Sequence, residues 1–236
     1  MEKVRINKYL ASLGIGSRRK IDEMIDNRLV IVNGSVAKHG DAVSEEDKIV
    51  VDGRVIENRE EEKVYYMLNK PQKVVSAVSD PREKTVVEII KDKRRVFPIG
   101  RLDLDTEGLL IVTNDGELYN RVVHPRAELF KTYFAKIRGM ITDYEIEQLQ
   151  KGIELDDGMT LPAKVKLFKR EERYSEIEIS IREGRKRQIR RMLDKVNHRV
   201  FYLKRNAIGE LKLDRDLKPG EYRELTKAEL NYLQGL

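Results

Sequence analysis

The spacing of apolar residues along the chain changes near residue 60, which predicts two modules. In the first module, apolar residues recur at helical spacing over residues 6–13, and Ser17 is placed to cap a second helix. Two pairs of short apolar runs follow, joined at Asn33-Gly34 and at Asp52-Gly53, and each pair predicts a hairpin with a tight turn. We therefore expect residues 1–60 to form a compact α/β module.

The second module, residues 61–236, is rich in predicted strands. We interpret the polar run 57–63 as the linker to it, although an exposed helical turn fits this run equally well. The strand candidates are residues 64–68, 74–78, 109–113, 132–137, 165–168 and 177–181. Helical spacing occurs at residues 85–90, 144–149 and 187–196 and near the C-terminus, and Thr142 and Thr226 each begin a capping box. Because strands and helices do not alternate regularly, we predict an α+β fold: a mixed, mainly antiparallel sheet with flanking helices.

Composition and charge indicate a globular protein of the cytoplasm. Charged residues make up 37% of the 236 residues, and no apolar run approaches the length of a membrane span. There is no cysteine and only three scattered histidines, so we expect neither disulfides nor a metal site. The net charge of +6 is uneven, since ten Lys or Arg stand against two Asp or Glu between Arg182 and Arg205. That excess favours an anionic partner, although such runs are more often solvated surface.

Basic residues gather at the two predicted helix starts of the first module: Arg5, Arg18, Arg19 and Lys20. Backbone N–H groups at a helix start favour anions, and the turn at Asn33 allows close approach of a ligand, although alone it is only a turn. These residues, with Ser17-Arg18-Arg19 and Val32-Asn33-Gly34 in order, resemble the small RNA-binding domain of the ribosomal protein S-four type. The resemblance implies that roughly the first 60 residues bind structured RNA by shape and phosphate contacts.

The most informative segment of the second module is Gly100-Arg101-Leu102-Asp103-Leu104-Asp105, which precedes a predicted buried strand. The nearby acids suggest a metal site, but no histidine or further acidic cluster completes the coordination. A glycosidase pair is also conceivable, but an adjacent arginine would keep a carboxylate ionised, which is wrong for a general acid. From the residues alone, Asp103 is interpreted as a loop carboxylate paired with an arginine.

The string GRLDLDTEGLLI resembles the catalytic loop of the pseudouridine synthases, in particular the RsuA-type group that carries an N-terminal S-four domain. Three further motifs of that family follow the same order, namely Leu68-Asn69-Lys70-Pro71, Lys131-Thr132-Tyr133 and the stretch from Glu183 to Met192. The resemblance runs from Arg5 to about Leu213. It implies the pseudouridine synthase fold and the isomerisation of a uridine in ribosomal RNA, with large-subunit RNA preferred as the substrate. Lys73 stands where the family usually has glycine, and some relatives have histidine in place of Arg187.

The resemblance also implies a role for each site residue. Asp103 would start cleavage of the bond between ribose and uracil, Arg190 would be the cation that keeps it ionised, and Tyr133 would stack on the uracil. Arg101 would fill the gap that the flipped nucleotide leaves, at an extrusion cost on the order of a few kcal/mol. The remaining residues expected to bind phosphates are Lys131, Arg185, Lys186, Arg187 and Arg191. The reaction needs no cofactor and no metal.

Several alternatives stay open on the sequence. The substrate could be small-subunit ribosomal RNA, or the protein could be a non-catalytic RNA-binding factor in ribosome assembly. A DNA-binding regulator would leave the second module without a purpose, and a phosphoryl-transfer enzyme would need a glycine-rich phosphate loop, which the chain lacks. We expect a monomer that binds a structured stem-loop of ribosomal RNA or an assembling ribosomal subunit and that does not associate with membranes.

Overall fold

The computed structural model describes residues 3–57 and 61–236, and its chain divides into two compact units. The first unit contains residues 1–64 together with the short segments 92–96 and 114–116, and the second contains the rest. The predicted linker 57–63 falls partly on residues 58–60, which lie outside the described residues. The domain boundary at residue 60 stays a prediction. None of the helices in the described ranges has the length and apolar run that a bilayer span requires.

The first unit packs two helices against short strands, as the apolar pattern predicts. Ser17 caps the second helix, and its hydroxyl oxygen accepts from the Lys20 N–H at 3.1 Å. Asn33 and Asp52 both have a φ of 49° and each precedes a glycine, which is the geometry of the predicted hairpin turns. The core is formed by Ile6, Leu10, Ile21, Ile25, Val30, Ala37, Val43, Ile49 and Val51. The elements are β1 (Val4–Arg5), α1 (Ile6–Ser12), α2 (Arg18–Asp26), β2 (Val30–Val32), β3 (Ser35–Val36), β4 (Ala42–Val43), β5 (Ile49–Val51) and β6 (Arg54–Val55).

The second unit is built on a nine-stranded, mainly antiparallel sheet, which confirms the predicted α+β class. Its strands are β7 (Tyr65–Lys70), β8 (Phe97–Ile99), β9 (Glu107–Thr113), β10 (Lys131–Arg138), β13 (Lys164–Arg170), β14 (Tyr174–Ile181), β15 (Val200–Ile208), β16 (Leu211–Lys212) and β17 (Tyr222–Glu224), with β11 (Glu154–Leu155) and β12 (Gly158–Met159) forming a separate hairpin. The order across the sheet is β13-β14-β10-β15-β9-β7-β17, and among the described strands only β15 and β9 run parallel. The helices are α3 (Val86–Ile89), α4 (Gly116–Val123), α5 (Asp143–Lys151), α6 (Gln188–Lys195) and α7 (Lys227–Gln234), with a 3₁₀ turn at Pro125–Ala127.

Local signals located several of these elements correctly. Thr142 and Thr226 each make the full capping box with the glutamate three residues later. The predicted strand 74–78 is wrong, because in the described chain its backbone forms only an isolated bridge, from Val75 to Thr85. Ser76, and Lys73 just before this segment, instead bond to the loop 101–106.

Candidate active site

The loop 101–106 connects β8 to β9 and is held by hydrogen bonds from three directions. Ser76 Oγ donates to the Leu102 carbonyl and accepts from the Leu102 N–H, both at 3.0 Å. The Lys73 N–H donates to the Leu104 carbonyl at 2.8 Å, and the Thr106 N–H donates to the Asp103 carbonyl at 3.1 Å. The loop is therefore a fixed platform for the Asp103 carboxylate.

Lys73, whose N–H binds the loop, stands where the family that the sequence resembles usually has glycine. Its φ is 60°, a left-handed conformation that glycine adopts without steric cost and that other residues adopt rarely. The chain therefore keeps the backbone geometry at this position and retains the N–H that binds Leu104.

Lys70, at the end of β7, lies completely buried beneath the loop. Its ammonium donates to the carbonyl oxygens of Pro71 at 2.9 Å, Asp103 at 3.1 Å and Thr106 at 3.0 Å. Burial lowers the pKa of Lys70 to about 8, although the negative charges of Asp103 and its neighbouring acids oppose the shift. One buried cation therefore holds both sides of the Asp103 turn.

The predicted pair between Asp103 and Arg190 is wrong, since Arg190 binds Asp105 instead. Arg190, which is only 7% exposed on α6, donates to the Asp105 carbonyl at 2.9 Å and lies 3.3 Å from its carboxylate. Arg187 binds the same carboxylate through two nitrogens, at 3.0 and 3.1 Å. Arg187 has a φ of 51° at the start of α6, which brings both guanidinium groups to one acid.

The half-buried Asp103 carboxylate forms no ion pair with any residue in the described ranges. Asp103 nevertheless interacts electrostatically with Arg190. Burial lowers the pKa of Arg190, and the negative charges of Asp105 and Asp103 both oppose this shift. For Asp105, burial acts to raise the pKa, but the hydrogen bonds of Arg187 and the charge of Arg190 prevail and lower it. Asp105 is thus the structural acid of the loop, and Asp103 is left with a carboxylate available to a ligand.

Tyr133 lies on β10, where it is 8% exposed and faces Ile179 on one neighbouring strand and Arg205 on the other. Arg205 is also buried, and its Nε donates to the Leu109 carbonyl at 2.8 Å, while a terminal nitrogen of its guanidinium has no partner within the described chain. Burial, and then the charge of Arg205, lowers the pKa of Lys131. A buried cationic group beside a buried tyrosine suits an anionic or strongly polar ligand.

Gly108 brings the Arg205 strand against the loop. Its φ is 111°, and a Cβ at this position would lie 2.2 Å from the Arg205 carbonyl oxygen. Only glycine allows β9 and β15 to pair here, directly after the Asp103 turn.

The other predicted phosphate-binding residues divide into two groups. Arg101 and Lys186 are exposed, and no hydrogen bond or ion pair joins either of them to the part of the chain that is described. Arg185 donates to the carbonyls of Gly158 and Met159, and Arg191 binds Asp157 at 2.9 and 3.0 Å. We therefore reassign Arg185 and Arg191 to fixing the β11–β12 hairpin, because their terminal nitrogens bind groups of that hairpin.

In the first unit, Arg5, Arg18 and Arg19 are exposed, and Lys20 pairs with Glu23 at 3.4 Å. The Asn33 side chain donates to Asp47 at 2.7 Å and accepts from the Lys48 N–H at 2.9 Å. Asn33 therefore stabilises its turn, and its amide has less capacity for RNA than the sequence predicts. No group of three or more potential metal ligands occurs in the described ranges.

Comparison with known proteins shows the family of the chain. Residues 64–195 match the family model described as RNA pseudouridylate synthase, and residues 4–49 match the S4 domain. The chain belongs to the RNA pseudouridylate synthase family.

Relatives of this synthase match along almost its entire length. "Ribosomal large subunit pseudouridine synthase B" of Bacillus subtilis (strain 168) is 43% identical, over 98% of this chain and 96% of the relative. An "Uncharacterized RNA pseudouridine synthase" of Aquifex aeolicus is 44% identical, over 99% of this chain and 94% of the relative. A solved structure described as "Crystal structure of pseudouridylate synthase" superposes with a TM-score of 0.72 at 30% identity, covering 98% and 99% of the two chains.

Three site residues of the synthase have structural functions that our sequence reasoning missed: Lys70, Asp105 and Arg205. Lys70 lies in one of the family motifs, but a lysine after an apolar strand gives no sign that its ammonium is buried. Asp105 stands two residues from Asp103, and nothing in the sequence distinguishes it from the other acids of the segment. Arg205 lies within a basic run, so only the sheet register distinguishes its buried side chain from that of the adjacent Lys204.

Proposed function

We propose that this synthase converts a specific uridine of ribosomal RNA, in the large subunit, to pseudouridine, and that Asp103 starts the reaction. The observation that carries the proposal is the Asp103 turn, which is held by Lys70, Lys73 and Ser76 and presents a carboxylate with no ion-pair partner among the described residues. The name of the Bacillus subtilis relative supports the large subunit as the substrate.

The isomerisation is balanced without any added reactant. The bond between ribose C1′ and uracil N1 breaks, the detached uracil turns within the pocket, and a bond forms from C1′ to C5. The proton on C5 leaves and N1 gains one. Asp103 provides the charge that initiates the break, whether through attack or proton abstraction, since each requires an ionised and oriented carboxylate.

Arg190 and Tyr133 then complete the site. Through Asp105, Arg190 fixes the loop, and its buried positive charge interacts with the negative charge of Asp103. Tyr133 would stack on the uracil and retain it after the break. Arg101 is the exposed first residue of the loop and would occupy the space that the extruded nucleotide leaves.

The two modules of residues 1–60 and 61–236 would divide the work between RNA binding and catalysis. We further propose that the synthase acts as a monomer in the cytoplasm, with ribosomal RNA as its partner. Arg5, Arg18, Arg19 and Lys20 would hold the RNA by its phosphates, and Lys131 and Lys186 would do so at the catalytic loop.

Chemical mapping of pseudouridine in ribosomal RNA tests the substrate. We expect cells without the gene to lack one or very few pseudouridines in large-subunit RNA, and we expect wild type, but not Asp103→Asn, to restore them. Loss of a small-subunit site instead would show that small-subunit ribosomal RNA is the substrate. Retention of every site would leave only an RNA-binding role in assembly.

A second experiment tests the first module. Because Arg18 and Arg19 are exposed in the first turn of α2, Arg18→Ala/Arg19→Ala should weaken RNA binding and leave kcat at saturating substrate unchanged. Each lost phosphate contact should reduce the salt dependence of binding, with a slope change of about 0.7–0.9. A collapse of kcat at saturation would contradict the division of labour.

A further inference from the structure

The face of the large sheet opposite to Tyr133 carries a group of aromatic side chains. Tyr133 and Phe134 are consecutive in β10, so their side chains point to opposite faces of the sheet. The register places Phe134 beside Lys204 of β15 and Glu178 of β14, and Glu178 beside Lys166 of β13. These side chains therefore share the face that Tyr133 does not occupy.

On this face the ring of Phe134 packs against the rings of Phe168 and Tyr202. We name these three residues the aromatic platform. The rings of Phe134 and Phe168 are stacked with centroids 6.2 Å apart, and Tyr202 meets Phe134 edge-on at 6.2 Å. Phe168 is 50% exposed, while Phe134 and Tyr202 are half-buried. Tyr202 is fixed by its hydroxyl, which donates to Glu107 at 2.9 Å. An ordered, exposed aromatic cluster is a common mark of a binding surface.

Lysines surround the aromatic platform. The Lys166 ammonium lies 5.3 Å from the Phe168 ring centroid, and the Lys136 ammonium lies 5.9 Å from that of Phe134. Lys136 is neutralised by Glu176 at 2.8 Å, and Glu178 adds a second acid to this face. In contrast, Lys166 and Lys164 form no salt bridge with any residue that the structure describes.

The basic surface continues from the aromatic platform to the start of β10. Phe130 directly precedes that strand, with the Lys164 ammonium 4.1 Å and the Arg182 guanidinium 5.4 Å from its ring centroid. The next residue is Lys131, half-buried at the site. Arg182 pairs with Glu128 at 3.6 Å, whereas Lys164 has no salt bridge among the described residues, so a polyanion bound at the site would meet Lys164 on its way to the opposite face of the sheet. Since β13 is an edge strand, its lysines stand at the border of the sheet.

We infer that the aromatic platform is a second RNA-binding surface, which takes an unpaired segment of the RNA that flanks the modified nucleotide. Exposed rings on a sheet accept the faces of any bases, and the lysines beside them bind the phosphates between those bases. Lys164 and Lys166, which have no salt bridge among the described residues, favour phosphates, and the exposed rings favour bases, so this surface suits single-stranded RNA better than a peptide. The inference assumes an RNA substrate but does not depend on the role of Asp103.

Binding of a non-substrate oligonucleotide tests this inference separately from catalysis. The probe is an oligothymidylate of about ten nucleotides, whose C5 methyl prevents isomerisation and whose bases crosslink under ultraviolet light. We expect crosslinks to peptides that contain Phe168 or Phe134 of the full-length protein. Phe168→Leu should weaken binding at least about fivefold, as expected for the loss of one base stack. Phe168→Trp keeps an aromatic ring at this position and should bind like wild type.

Matched variants distinguish this surface from general charge and general apolar area. Lys164→Glu/Lys166→Glu should weaken binding and lower the salt slope by about 0.7 for each lost phosphate contact. The control Lys212→Glu/Lys227→Glu makes the same charge change elsewhere, and Tyr144→Leu removes an exposed ring from α5. The inference is overturned if Phe168→Leu binds like wild type, if the controls lose as much affinity, or if all crosslinks fall in the first module.

Discussion

Asp103→Asn should lower kcat by at least about 10⁴-fold while the protein folds and binds RNA as before. The amide has the size of the carboxylate but cannot act as a nucleophile or base. Stability should change little, since the Asp103 carboxylate makes no ion pair with the described residues. Single-turnover isomerisation of a substrate stem-loop measures the chemical step, and a filter-binding titration of the same RNA measures affinity.

Asp105→Asn is the matched control two residues away. It leaves Arg187 and Arg190 without their shared carboxylate, so we expect a lower denaturation midpoint and a loss of kcat of about 10–100-fold through misplacement of the loop. The two variants should therefore separate cleanly, with catalysis lost in the first and stability lost in the second. Greater catalytic loss in Asp105→Asn than in Asp103→Asn would exchange the functions that we assign to the two acids.

Lys70→Met should lower kcat by about 10²-fold, although Lys70 is fully buried and cannot touch the RNA. The methionine retains the apolar stem but provides no donor to the carbonyls of Pro71, Asp103 and Thr106, so the turn loses its central support. The exposed Lys84 allows a control, Lys84→Met, which should keep full activity. Wild-type kcat in Lys70→Met would show that the loop keeps its geometry without the buried cation.

The pH dependence gives Lys70 a second, independent signature. Its pKa is about 8 in the folded protein and ordinarily 10.5, so between these values the unfolded chain binds more protons and stability rises with pH. Over the same interval the folded protein loses the ammonium beneath Asp103, and we expect kcat to fall above about pH 8. The rise in stability and the fall in kcat should both be absent from Lys70→Met. Profiles of kcat and of the free energy of unfolding against pH measure the two effects. A wild-type kcat that stays flat to pH 10 would contradict the role of this charge.

Much of the fold follows from local chemistry that the sequence displays. The Ser17 cap, the Asn33-Gly34 turn and the capping boxes at Thr142 and Thr226 depend on residues within a few positions of one another, and all four were predicted. Strand β15 was missed, because Lys204 and Arg205 interrupt its apolar pattern. Its position beside β9 and β10 in the sheet buries Arg205, which no local rule anticipates.

The sequence by itself therefore determined the family, the α+β class, the reactive loop and the residues worth testing, because motifs and caps are short-range patterns. Tertiary structure alone decided which charges meet: Arg190 binds Asp105 instead of Asp103, Lys70 lies under the loop, and Arg185 and Arg191 are used by a hairpin. Ion pairs join residues from distant parts of the chain, and a shift of two positions along a loop exchanges one carboxylate for another. Such choices depend on distances of a few ångströms, which the order of residues does not contain.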